Sequence, residues 1–458
     1  MKVVICGAGQ VGFNIARFLA GENADVTVVD QAPDLVQKVR DRLDVTGVVG
    51  FASHPEVLER AGARDADMLI AVTYSDEVNM VACQVGHSLF EVPLKIARVR
   101  SQAYLDPVWS ELYSREKMPI DVVISPELEV ARSIERRLRV PGAFDAIPMV
   151  GGKVTVIGVH VREETPIIET PLRELTALFP DLHIFIVAIQ REGKLVVPSG
   201  KERLRPGDEA WFVSESTHLR RAMLAFGYEE QAARRVVMIG GGNIGLNLAR
   251  RVEARHPQVQ LRIIEVDKSR AERVAETLDR SVVIHGDALE ADILEEANAA
   301  NSETVIAVTN DDEVNILASL LAKKSGCRRA VTLINSSAYG SLVGGLGIDT
   351  VVSPRAITVS TILQHVRRGR IRSVHSLAEG VGEVIEAEAL ETSALVGPPL
   401  RDAPLPEGVV LGAIIRNGAV IIPRGGTSVK AGDLCVLFVA PQAVKSVERL
   451  FAVKLEFF

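Results

Sequence analysis

Two glycine turns bear the residues of this sequence best placed to do chemistry. Gly7-Ala8-Gly9-Gln10-Val11-Gly12 follows the apolar run KVVIC, and Gly240-Gly241-Gly242-Asn243-Ile244-Gly245 follows RVVMI. Each leads into a stretch of helical apolar period. A G-x-G-x-x-G pattern alone says little, but between a strand and a helix it is a cradle for phosphate. The first glycine permits a tight turn, and the second lets backbone N–H groups approach a pyrophosphate. The third lets helix and strand pack closely, and the helix N-terminus adds partial positive charge. The next apolar run ends in a carboxylate in both places, Asp30 and Glu265, near the roughly 20-residue spacing of a dinucleotide fingerprint. A carboxylate there accepts hydrogen bonds from a ribose diol and repels a 2′-phosphate. Gln31, Ala32 and Pro33 supply no cation for such a phosphate. NAD(H) or another adenine nucleotide is therefore expected over NADP. The alternative is that the glycines only shape turns in domains that have lost their ligand.

Ligands of open parallel sheets sit beyond the carboxyl ends of the strands, where the strand order reverses. That rule adds Phe51 and Ala52 after the third strand and Thr73 and Tyr74 after the fourth. Asp287, Ala288, Thr309 and Asn310 are their counterparts in the second half. Asp76 and Asp312 either cap the following helix or contact ligand. Arg98 and Arg100 lie on LKIARVR, where the second half has Leu333 and Asn335. Arginine pairs well with phosphate. The first turn is thus expected to take the more anionic nucleotide, ATP or ADP, and the second NAD(H), unless both arginines are merely solvated strand ends.

An internal duplication positions these residues. VVICGAGQVGFNIARFLA at 3–20 pairs with VVMIGGGNIGLNLARRVE at 236–253, and LIAVTYSDEVN at 69–79 with VIAVTNDDEVN at 305–315. IDVVISP at 120–126 pairs with IDTVVSP at 348–354, and the stretch 188–213 with 413–439. The insertion DPVWSELYSREKMP is not matched in full in the second half. Alternating short strands and helices predict an α/β fold: two Rossmann-like domains with parallel sheets, each followed by a small α+β domain. The expected boundaries are 1–140, 143–227, 234–370 and 373–458. Duplication favours two similar ligand sites over one catalytic centre. Leu128, Ala131, Ile134 and Leu138 fall on one helix face, as do Val359, Ile362, Leu363 and Val366. These faces suit either subunit contact or packing on their own domain. Beside them Arg136, Arg137, Arg139, Arg367, Arg368, Arg370 and Arg372 read as solvated helix ends or as a surface for an acidic partner or lipid headgroups.

Composition narrows the classes further. Of the 458 residues 47% are hydrophobic and the net charge is −7, which gives no basic face for nucleic acid. The four cysteines are scattered, with no zinc spacing and no disulfide framework, so a reduced compartment is expected. No apolar run is long enough for a transmembrane helix, and MKVVICGAGQ reads as a first strand, with no leader. The histidines do not repeat between the halves, and no acid/base constellation stands out, so no catalytic or metal-binding residues are assigned. A Rossmann oxidoreductase and a free-standing nucleotide sensor are the competing classes.

The first turn, Asp30, SHPEVLERAGARDADMLIAVT, DEVNMVACQV and KIARVR together resemble the TrkA regulators of bacterial Trk potassium uptake, over nearly the whole chain. The resemblance implies tandem RCK-N and RCK-C domains and a homo-oligomer, a tetrameric ring or its equivalent. Such a ring would sit on the cytoplasmic face of a membrane potassium transporter and gate it as NAD(H), ATP and ADP exchange. Gly7 to Gly12, Asp30, Phe51, Ala52, Thr73, Tyr74 and Arg98 are the first candidate site, and Gly240 to Gly245, Glu265, Asp287, Ala288, Thr309, Asn310 and Leu333 the second. Family members tend to carry a polar residue where this chain has Phe51, which either stacks on adenine or marks a changed site.

Overall fold

A computed structural model of the chain describes residues 1–21, 24–178, 183–229, 232–366, 371–377 and 381–451. The first sheet holds β1 (Lys2–Cys6), β2 (Asp25–Asp30), β3 (Thr46–Val49), β4 (Met68–Ala71), β5 (Leu94–Arg98) and β6 (Val122–Ile124). All pairs are parallel, in the order β3-β2-β1-β4-β5-β6. An antiparallel sheet follows: β7 (Ala143–Met149), β8 (Val154–His160), β9 (Ile184–Arg191), β10 (Lys194–Val196) and β11 (Glu209–Glu215). The second half repeats the plan. Its parallel sheet holds β12 (Arg235–Ile239), β13 (Gln260–Glu265), β14 (Val282–His285), β15 (Thr304–Ala307), β16 (Arg329–Leu333) and β17 (Thr350–Val352), in the order β14-β13-β12-β15-β16-β17. Its antiparallel sheet holds β18 (Ile371–Ser376), β19 (Glu383–Glu388), β20 (Val409–Arg416), β21 (Ala419–Ile421) and β22 (Leu434–Val439). Short helices such as Leu219–Ala225 complete the smaller domains. The central strands are buried on both faces, and they read as unbroken apolar runs for that reason.

Two helices leave the half that encodes them. The first crossing helix, Pro126–Arg139, starts at the carboxyl end of β6, and the second, Pro354–Gln364, at that of β17. Ser125 and Ser353 cap them by accepting from the backbone N–H of Leu128 and Ala356, and a proline opens each. Val130, Ala131, Ile134 and Leu138 pack with Leu248, Val252 and Leu261 of the second half. Ile362, Leu363 and Val366 pack with Ile15, Ala16 and Leu19 of the first. These residues therefore complete the core of the sister half and not that of the domain that encodes them. A fully buried branched aliphatic side chain contributes about 1.5–3 kcal/mol, so these rows hold the halves together.

A buried carboxylate reinforces the first exchange. The Glu135 side chain is 4% exposed, and Arg251 Nε donates to it at 2.7 Å across the boundary. His256 Nε2 lies 3.2 Å from its other oxygen, and Arg139 adds a further ion pair. Burial alone would raise the Glu135 pKa; the hydrogen bond and charge of Arg251, with help from His256 and Arg139, outweigh it and hold the carboxyl below its ordinary value.

The basic residues beside these faces are engaged within the chain. Arg137 bonds the Phe144 carbonyl, the Ser133 hydroxyl and Asp145, and Arg372 pairs with Glu388. Arg136 and Arg137 are half-buried, whereas Arg139 and Arg372 stay exposed to solvent while paired with Glu135 and Glu388. Arg367, Arg368 and Arg370 lie outside the described residues.

The two antiparallel sheets pack face to face. Trp211, Val213 and Val187 share one core with Val384, Phe438 and Ala413. Gly412 makes the close approach possible, since a Cβ there would lie 2.6 Å from a Val213 methyl. All four cysteines are free and buried. Among the described residues no helix is long and apolar enough to cross a membrane.

Glu135→Gln is expected to lower stability by about 3 kcal/mol, the usual cost of breaking a buried ion pair from one side, read as a lower urea midpoint. The wild-type carboxyl sits below its unfolded value of 4.5. Its contribution is therefore complete above that pH and drains away as pH falls through the folded value. The stability difference between wild type and Glu135→Gln should accordingly shrink below about pH 4.5.

Candidate functional site

At each glycine turn the backbone takes a shape that only glycine adopts freely. Gly7 has φ +114° and Gly240 φ +105°. A Cβ on Gly12 would lie 1.8 Å from the Gly7 carbonyl oxygen, and one on Gly245 2.0 Å from that of Gly240. Gly9 and Gly242 have nothing within 4 Å of where a Cβ would stand. The first and third glycines thus build the turn, and the second leaves open space above it.

The strand-end carboxylates pin these turns. Asp30 accepts from the backbone N–H of Ala8 at 2.7 Å and of Ala32 at 2.9 Å. Glu265 accepts from Gly241 at 2.7 Å and Asp267 at 2.9 Å, and Arg270 reaches it at 3.2 Å. Asp30 stays partly exposed, whereas Glu265 is buried. The carboxylates still face the crevice, but the second is already covered by a cation.

Both turns open onto one cavity of about 1020 Å³ between the halves. Of the residues expected at the first site it gathers Gly7, Gly9, Gln10, Val11, Asp30, Phe51, Ala52, Thr73, Tyr74 and Arg98. From the second it gathers Gly240, Gly242, Asn243, Ile244, Glu265, Asp287, Ala288, Thr309, Asn310 and Leu333. Ala8, Gly12, Gly241 and Gly245 are absent from its lining and form the back of the turns. Phe51 is 53% exposed and lies 5.3 Å from the His54 ring, so its face is not consumed by the core.

Paired side chains hold the rim. Asn79 accepts from the Thr73 N–H and donates to the carbonyls of Thr73 and Arg98; Asn315 does the same for Thr309 and Leu333. Asp76 accepts from the N–H groups of Arg100 and Ser101, and Asp312 from those of Asn335 and Ser336. These aspartates neither cap their helices, which Ser75 and Asp311 do, nor line the cavity.

The charges fall differently from the sequence-based expectation. Arg98 donates to the Thr73 carbonyl at 2.7 Å, and its buried Nε has no partner. Burial, then the charge of Arg100, lowers its pKa. Arg100 is not available in the same way: its Nε pairs with Glu127 at 3.1 Å, and its guanidinium lies 5.7 Å from the Tyr74 ring centre. Burial would lower the Arg100 pKa, but the Glu127 hydrogen bond and charge win and raise it. The second half brings Arg270 and Arg355 to the same cavity. The expected surplus of two cations at the first turn is therefore absent. Arg355, Glu127 and Thr358 were missed because they start the crossing helices, whose place beside the turns is a tertiary fact. The repeated IDxVxSP motif just before them was the available signal.

Two Rossmann-type units with facing glycine turns, each joined to a small antiparallel domain, define a duplicated α/β protein of the kind that holds its ligand between its halves. The TrkA-N domain family matches residues 3–126 and 236–354, and the TrkA-C domain family 156–227 and 384–452. The chain is 55% identical over 458 residues to the Trk system potassium uptake protein TrkA of Azorhizobium caulinodans, covering 100% of both chains. It is 43% identical over 462 residues to that of Halomonas elongata, again over 100% of both. The chain belongs to the TrkA family of Trk system potassium uptake proteins. Solved structures share the fold. The crystal structure of the GsuK RCK domain aligns with TM-score 0.61 at 22% identity, over 98% of this chain and 94% of that one. The GsuK channel bound to NAD aligns with TM-score 0.60 at 21% identity, over 98% and 78%.

Gly12→Ala should cost about 2 kcal/mol or more, because a methyl group must displace backbone. Gly9→Ala, facing open space, should unfold at the wild-type temperature. Thermal unfolding followed by circular dichroism checks both.

Proposed function

We propose that the chain senses adenine nucleotides in the cavity between its halves and so gates a membrane potassium transporter of the Trk type. The observation that carries this reading is that both glycine turns, with their strand-end carboxylates, open into the same space. A ligand there touches both halves, so its affinity depends on how they are placed. A ligand shifts a conformational equilibrium only by such a difference in affinity. Taking a gate from mostly closed to mostly open requires roughly 10⁴-fold preference, about 5.5 kcal/mol; several sites in a homo-oligomeric ring divide that among them.

NAD(H) fits the fingerprint of strand, glycine turn, helix and strand-end carboxylate, and the NAD-bound GsuK channel shares the fold. ATP or ADP fits the first turn, where the Arg98 guanidinium lines the crevice. Asp30 accepts from a ribose diol by its remaining lone pairs, and Phe51 offers a face for adenine. In this reading the protein is cytoplasmic, and it docks as a ring on the inner face of the membrane.

Potassium flux through the reconstituted transporter, with and without this protein, tests the reading across ATP, ADP, NAD⁺ and NADH. Flux that depends on nucleotide only when the protein is present is the expected result; flux indifferent to all four removes the proposal. Gly9→Ala should keep the wild-type melting temperature yet weaken nucleotide affinity about tenfold or more, since its methyl occupies the approach of the phosphates. Calorimetric titration reads that loss.

A further inference from the structure

The two halves bring charge to the same side of the crevice by different routes. In the first, the cation on β5 is Arg98, and the pair Arg100–Glu127 is neutral. In the second, Leu333 stands where Arg98 stood, so the corresponding strand end carries no charge. Asn335 replaces Arg100, and Arg355 replaces Glu127. The pair has lost its carboxylate, and the cation has moved to the helix. Among the described residues Arg355 has neither an ion pair nor a hydrogen bond, yet it lines the cavity. It sits in the first turn of the second crossing helix, where the helix dipole disfavours a cation.

Strand order tells which part of a ligand would meet it. Glu265 ends β13 and Asp287 follows β14, on one side of β12; Thr309 follows β15, Leu333 ends β16 and Arg355 follows β17, on the other. A nucleotide with its ribose toward Glu265 and its first phosphates over the Gly240 turn extends its terminal phosphates toward Arg355. On the ribose side Arg270 is already paired with Glu265, which leaves Arg355 as the uncompensated charge.

We propose that Arg355 receives the terminal phosphates of a nucleoside polyphosphate held by the second glycine turn, in the role read above for Arg98 at the first. The assignment rests on the nucleotide reading above and sharpens it: both turns take polyphosphates, through cations delivered by different elements.

Titration of the full-length protein with ATP and with adenosine, by calorimetry, tests it. Wild type should show two ATP sites per chain. Arg355→Gln should weaken one of them about tenfold, as for loss of a charge-assisted contact, and leave adenosine binding as it was. Arg98→Gln should weaken the other. The double variant Asn335→Arg/Arg355→Glu rebuilds the first half's ion pair, so it should keep the wild-type melting temperature and still show the loss. An ATP isotherm unchanged by Arg355→Gln overturns the assignment, as does adenosine binding that falls in step with ATP. Wild type silent toward ATP overturns it together with the ATP reading of the first turn, and that failure is distinct because it precedes any substitution.

Discussion

The burial of two apolar helix faces in opposite halves of the chain is the constraint on which the rest of the structure depends. Val130, Ala131 and Ile134 of the first crossing helix reach the core under β12, and Ile362 and Leu363 of the second reach the core under β1. Had each helix packed on its own sheet, the two glycine turns would face separate solvent. Because each packs on the other, the turns are brought mouth to mouth, and the capped starts of the helices become walls of the space between them. Hydrophobic burial supplies the energy without direction. The Glu135 cluster supplies the direction, since its carboxylate is satisfied only when Arg251 and His256 stand opposite it.

Within this near-symmetry the side chains divide by task. Those that hold backbone are the same in both halves: Asn79 and Asn315 tie the strand ends, and Asp76 and Asp312 tie the loops beyond. Their partners are backbone groups, which do not change with sequence, so the same side chain is required twice. Several of the side chains that face the cavity differ between the halves. Arg98 becomes Leu333, Glu127 becomes Arg355, and Leu35 gives way to a helix in which Arg270 covers the carboxylate.

That division also governs what the sequence could reveal. The glycine turns, Asp30 and Glu265 were legible because a strand, a tight turn and a helix must follow one another along the chain, and the chemistry is written in local spacing. The duplicated α/β plan was legible for the same reason. The exchange of helices was not: a period of 3.6 in Ile134 and Leu138 says that a face is buried, but not against what. Charge failed in the same manner. Arg100 counted as a free cation until Glu127, on the crossing helix, stood 3.1 Å from it. Arg137, expected at a solvated end or on a surface for an acidic partner, is bonded to a neighbour supplied by the fold, the Phe144 carbonyl.

The crossing helices also connect the cavity to the paired antiparallel sheets. Each begins at the cavity wall and ends against the sheet that follows it, β7 or β18. At those ends Arg137 bonds the backbone of β7, and Gln364 bonds the His375 ring on β18 at 3.0 Å. Burial pushes the His375 imidazole down to about 4, so it stays neutral at ordinary pH and this joint does not respond to protons. Across the sheets, Val150 donates to Glu386 and Lys153 to the Gly418 carbonyl, which locks the smaller domains as one body. A helix packed along its length transmits displacement because a close-packed interface cannot be compressed gradually. A displacement of Glu127 or Arg355 at one end therefore acts on a helix whose other end is bonded to the antiparallel sheet that follows it.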